Sequence, residues 1–218
     1  IENGRLGRVY QDISQVVRLG QDVNQKREFQ ASALDRADQC LKMFSESISK
    51  VGGVAKIRAV ATSAARDAKN SVKLLELGEK HGIPIHIISG EEELRLTYQG
   101  MIFDRSEHAG LVGIDIGGGS TELMGRSASG QLVGHSAEIG AVRLTEMFIR
   151  HDPPLPSELM EIKALAMKEL GKIALEKRAT ELIAVAGTPT ALACVEQNIA
   201  YSVEKIHNYH LSRDSIHG

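Results

Sequence analysis

A chain of 218 residues holds one large domain or two small ones, and 42% apolar residues is enough for a buried core. A formal net charge of -2 excludes the basic footprint of an electrostatic nucleic-acid binder, and 25% charged residues is ordinary for a water-facing surface. No apolar run approaches the roughly 20 residues of a membrane-spanning helix. Cys40 and Cys194 belong to no C-x-x-C pair and no secretory leader pattern opens the sequence, so the expectation is two reduced thiols in a cytoplasmic protein with no membrane or nucleic-acid partner.

An Asn3-Gly4 turn leads into two β-rich runs, residues 5–9 (RLGRV) and 13–19 (ISQVVRL), which read as a hairpin. Leu34, Ala37, Leu41, Phe44 and Ile48 recur at three- and four-residue steps and predict an amphipathic helix over 30–51. A strand at 56–62 precedes a helix over 63–82 that stops at Gly82, the residue type that closes helices in the left-handed region. Residues 83–89 form a strand and 90–103 a helix. Its first turn carries Glu91, Glu92 and Glu93, where the macrodipole favours acids and where composition alone makes a solvated face.

The segment 104–110 (DRSEHAG) is the natural boundary between domains at 1–108 and 109–218. Beyond it, 111–116 (LVGIDI) is a strand, 117–119 (GGG) a turn, 120–126 a strand, 127–130 a turn and 131–140 a further strand. Helices follow at 141–150, where Met147 and Phe148 are core candidates, and at 157–178 after the break HDPPLP. A strand at 181–187 and a helix with Pro189 near its start complete the pattern, whose alternation of strands and helices defines an α/β fold.

Two short likenesses share one spacing. Residues 15–19 (QVVRL) resemble 140–144 (GAVRL), residues 57–61 (IRAVA) resemble 182–186 (LIAVA), and both pairs are offset by 125 positions. The shared register implies an internal duplication. It places the first-half counterpart of DIGGGST about ten residues before Ile1.

The glycine turn itself admits more than one reading. A P-loop needs a lysine and a following helix, and a dinucleotide fingerprint also needs the helix; neither is present. A plain hairpin turn remains, in which glycine supplies positive φ. So does a phosphate grip, in which Gly117, Gly118 and Gly119 let backbone N–H groups converge on an anion. In that reading Ser120 and Thr121 add hydroxyl donors, while Asp115 and Glu122 offer hard oxygen ligands to Mg²⁺.

Five segments in order resemble the exopolyphosphatase/guanosine pentaphosphatase family: VATSAARDAKN (60–70), IISGEEELRLTYQG (87–100), GIDIGGGSTEL (113–123), GAVRL (140–144) and AVAGTPTALA (184–193). The resemblance implies the actin-like, sugar-kinase-like superfamily, with two ribonuclease-H-like domains flanking a cleft. It also implies that the family's N-terminal strand and hairpin and some C-terminal helices lie outside this sequence. By the same resemblance Glu93 is the general base and Arg66 contacts the phosphate chain. Asp115, Gly117, Gly118, Ser120 and Glu122 form the phosphate- and magnesium-binding hairpin, and Gly187 and Thr188 form a second loop.

The implied activity is Mg²⁺-assisted release of terminal phosphate from inorganic polyphosphate by water. The implied alternative substrate is guanosine pentaphosphate, and a homodimer is the implied assembly. Two rivals are an actin-like small-metabolite kinase and a non-catalytic phosphate-binding regulatory module. The kinase would need a nucleotide pocket and has no obvious use for the acid-rich helix. Arg143 is a weaker candidate for phosphate contact, and the eight histidines lack metal-ligand spacing.

Overall fold

The computed structural model describes residues 10–103, 110–172 and 179–217. Two compact units divide between Ile88 and Ser89. The expected turn at Asn3-Gly4, the strand at 5–9, the boundary segment at 104–109 and the end of the helix at 173–178 lie outside the described residues.

In the first unit, the short helix α1 (Val23–Lys26) precedes α2 (Ala31–Lys50), which realises the predicted 3.6-residue periodicity and buries Ala33, Ala37 and Leu41. Strand β1 (Ala59–Ala61) pairs in parallel with β2 (Ile85–Ile87). Between them the chain forms α3 (Ser63–Asp67) and α4 (Val72–Lys80) rather than the continuous helix expected over 63–82. The break has a specific cause: the Asn70 side chain accepts from the Phe29 N–H at 2.8 Å and donates to the Phe29 carbonyl at 3.0 Å. The Lys69 N–H reaches the Arg27 carbonyl as well, so these residues serve another backbone segment instead of the helix.

Helix α4 closes as the sequence foretold. Gly82 has φ 69° and its N–H meets the Glu79 carbonyl, while the Ile83 N–H meets the Gly78 carbonyl. Val23, Phe29, Ala37, Ala65, Ala68 and Leu74 form this unit's core. The strand expected at 13–19 is not one: residues 11–18 are irregular and pair with no strand among the described residues, and Arg18 adopts φ 51°. The Val17 carbonyl of this run accepts from the Arg36 Nε at 2.8 Å, a side-chain partner in place of a ladder bond.

The second unit begins with α5 (Gly90–Met101), capped by Ser89, whose hydroxyl accepts from the Glu92 N–H at 3.1 Å. Strands β3 (Leu111–Ile116), β4 (Thr121–Arg126) and β5 (Leu132–Ala137) form an antiparallel meander. Helices α6 (Ala141–Phe148) and α7 (Pro156–Leu170) then lead to β6 (Glu181–Val185), which joins β3 in parallel to give the order β5-β4-β3-β6. Helices α8 (Gly187–Gln197), α9 (Val203–Ile206) and α10 (Arg213–His217) follow. Met147, read as a core candidate, is instead 39% exposed on α6.

Helix α5 packs on one face of this sheet through Leu94, Tyr98 and Met101, which meet the fully buried Met124. Glycines make the close approach possible. A Cβ on Gly113 would stand 2.5 Å from the Met101 Sδ, and one on Gly134 would stand 2.7 Å from the Leu123 carbonyl oxygen and collide with Leu94. Gly134→Ala therefore overpacks this seam, and thermal or urea unfolding should register a loss of about 1–3 kcal/mol.

Candidate active site

The register of the β3–β4 hairpin sets Asp115 directly opposite Glu122 and Glu122 opposite Ser136. Residues opposed across antiparallel strands share a face, and like charges so placed repel. Glu122 is 1% exposed; its Oε1 accepts from the Ser136 hydroxyl at 2.6 Å, and the Ser120 hydroxyl is a second partner. Burial pushes the Glu122 carboxyl above its ordinary range, the two serine bonds oppose the shift, and the charges of Glu93 and Asp115 add to it. Burial likewise raises Asp115, with the Glu93 charge adding and a hydrogen bond from Thr97 opposing. Glu93 and Thr97 both stand on α5, so the helix that packs the hydrophobic seam also brings its first turn to the two hairpin carboxylates.

The glycine loop between β3 and β4 is held by the start of α6. The Ala141 N–H donates to the Gly117 carbonyl and the Arg143 N–H to the Gly118 carbonyl, each at 3.0 Å, and the Arg143 Nε donates to the Gly119 carbonyl at 2.7 Å. A Cβ on Gly140 would lie 2.5 Å from the Gly118 carbonyl carbon and oxygen, so the two segments touch backbone to backbone. Among the described residues no backbone carbonyl accepts from the N–H of Gly118, Gly119 or Ser120. Successive backbone N–H groups in a turn are the kind of donor from which anion sites are built.

Because β3 and β6 are parallel with Asp115 beside Val185, both strands end at the same edge of the sheet. The segment after β6 therefore joins the glycine loop there. Ala186 sits at φ 75°, a strained value for a residue with a Cβ, and Gly187 and Thr188 open α8. Ligands of parallel α/β sheets gather at such carboxyl ends.

Of the residues named from sequence, Asp115, Glu122, the loop 117–120 and the pair Gly187 and Thr188 converge on this edge, with Glu93 coupled to the two carboxylates. Two hydroxyls differ from expectation. The Thr121 hydroxyl donates to the Ile139 carbonyl at 2.7 Å inside the sheet, and Ser120 is buried against Glu122. Both protons are committed within the protein, so neither hydroxyl offers its proton to a ligand. Arg66 belongs to the first unit, where its Nη1 donates to the Ile88 carbonyl at 2.9 Å. Thr97 and Ser136 were not legible as site residues; Ser136 is identifiable only once the β4–β5 register is known.

No three His, Cys, Asp or Glu side chains converge as a metal cage among the described residues. The donor set nevertheless fits Mg²⁺, a hard cation that commonly takes one or two carboxylates and fills its remaining positions with water and phosphate oxygens. No helix among the described residues is long and apolar enough to cross a membrane, and Cys40 and Cys194 are free thiols.

Residues 2–216 match the Ppx/GppA phosphatase family, and the chain belongs to that family. It is 35% identical, over 95% of its length, to the bifunctional 3-dehydroquinate synthase/phosphatase of Fusobacterium nucleatum, of which it spans 32%. It is 32% identical to Exopolyphosphatase 2 of Mycobacterium tuberculosis, again over 95% of its length, and spans 67% of that protein. Among solved structures, an exopolyphosphatase-like protein matches with a TM-score of 0.83 at 30% identity, covering 90% of this chain and 63% of that one. A Ppx/GppA family member of Aquifex aeolicus matches with a TM-score of 0.71 at 29% identity, covering 93% and 66%. The fold is thus the α/β, actin-like fold of this family.

The carboxylates give a pH dependence with a definite sign. Raised folded-state pKa values mean that the folded chain binds these protons more tightly than the unfolded chain. Their stabilising contribution is full below the ordinary carboxylate range, near about pH 4, and is lost as pH rises through the raised values. In metal-free buffer the thermal midpoint of Glu122→Gln should fall less than that of the parent chain over this rise. Thermal unfolding at a series of pH values checks it.

Proposed function

We propose that the chain releases terminal phosphate from inorganic polyphosphate by attack of water. The observation that carries the proposal is the juxtaposition at one sheet edge of three loop N–H groups with no backbone acceptor among the described residues and the carboxylates Glu93, Asp115 and Glu122. The family membership and the polyphosphatase names of its relatives support the substrate class.

In this reading the N–H groups of Gly118, Gly119 and Ser120 bind the oxygens of the terminal phosphate, where negative charge gathers during transfer. The N-terminal turn of α8, at Gly187 and Thr188, adds donors from the neighbouring strand end. Glu93 accepts a proton from the attacking water as the new P–O bond forms and the bond to the bridging oxygen breaks. The electron pair stays on that oxygen, leaving orthophosphate and a chain shorter by one phosphate. Asp115 and Glu122 are the residues that would hold Mg²⁺, which when bound neutralises charge on the phosphate oxygens. Arg66 keeps the role implied by resemblance, a contact to the phosphate chain.

The test is orthophosphate release from long-chain polyphosphate in the presence of Mg²⁺, compared between the parent chain and Glu93→Gln. Loss of a general base should slow release by about 10²–10⁴-fold. Equal rates would remove Glu93 from that role. Release from guanosine pentaphosphate but not from polyphosphate would transfer the same chemistry to the nucleotide.

A further inference from the structure

We infer that Arg143 is a positioning residue for phosphate binding, acting through the peptide plane that presents the Ser120 N–H. The inference rests on reading the glycine loop as a phosphate grip, and adds how the loop is kept in its gripping form. In a trans peptide the carbonyl of one residue and the N–H of the next lie in one plane and point in opposite directions. Fixing the carbonyls of Gly117, Gly118 and Gly119 therefore aims the N–H groups of Gly118, Gly119 and Ser120.

Glycines do not hold such orientations by themselves, because each residue is permissive in φ and ψ. The start of α6 supplies the restraint. Its backbone N–H groups at Ala141 and Arg143 take the first two carbonyls, and the Arg143 side chain takes the third through Nε at 2.7 Å. The guanidinium is itself steadied: Nη2 donates to Glu138 at 2.9 Å, and the side chain is only 11% exposed. The first turn of α6 thus spends its donors on the loop's carbonyls, and anion binding passes to the opposite side of the same peptide planes.

Three variants, Arg143→Ala, Arg143→Gln and Arg143→Lys, test this by calorimetric titration with Mg²⁺ and tripolyphosphate. Arg143→Ala should weaken binding by on the order of tenfold to a hundredfold, the scale of a misplaced contact group. Arg143→Gln, a neutral donor able to reach a carbonyl, should recover part of the loss. Recovery by Lys but not by Gln would mean that charge on the phosphate is what matters, and would overturn the inference. Amide exchange supplies a second readout: Ser120 should change while the amides of β3 and β4 do not, and a loss spread across both strands would overturn it too. If Arg143→Ala does not fold, the Gln and Lys variants carry the comparison. Equal affinity of the parent chain and the Ala variant removes Arg143 and leaves the phosphate grip standing. Failure of the parent chain to bind the probe removes both.

Discussion

The second unit is organised around two carboxylates placed opposite one another across a hairpin. Asp115 and Glu122 share one face of the β3–β4 pair, Glu122 buried and Asp115 half-buried, beside a helix whose first turn contributes Glu93. Such an arrangement opposes its own ionisation: burial first, and the neighbouring carboxylate charges after it, push both carboxyls above their ordinary range. Polar partners accommodate it: Ser136, opposite in register, and Ser120 in the loop for Glu122, and Thr97 on α5 for Asp115. The apolar seam of Leu94, Tyr98, Met101 and Met124 holds α5 in place. Packing therefore offsets the electrostatic cost of gathering negative charge, and a divalent cation with a bound phosphate would relieve it.

Small residues recur wherever this organisation needs close approach. Gly113 and Gly134 let α5 settle on the sheet, and Gly140 lets α6 meet the glycine loop backbone to backbone. The result is one sheet edge where two loops, one after β3 and one after β6, present main-chain donors beside carboxylates. Phosphoryl transfer asks the protein mainly for position and charge. An edge built from strand register and helix starts provides position without relying on flexible side chains.

Much of this was legible from residue pattern. The strand at 111–116 matches β3 residue for residue, the 30–51 periodicity became α2, and Gly82 closed α4 in the left-handed region. The carboxylates and glycines of the hairpin could be named because their types and spacing carry the chemistry. What escaped depended on pairings that no local window contains. Asn70 breaks a helix by bonding to Phe29, forty-one residues away, and in the irregular run at 13–19 the Val17 carbonyl is taken by the Arg36 side chain. Thr121 looked like a phosphate donor until Ile139 was found to accept its proton, and Arg143 looked like a weak phosphate contact until its bond to Gly119 was seen.

On the function proposed above, the backbone of the glycine loop, beside its carboxylates, receives a magnesium-bound phosphate chain. Amide chemical shifts of the ¹⁵N-labelled chain, followed as tripolyphosphate is added with and without Mg²⁺, test it most directly. Gly118, Gly119 and Ser120 should shift most, and Mg²⁺ should strengthen the response. Saturating tripolyphosphate and Mg²⁺ that leave these three amides unmoved, while others respond, would contradict it.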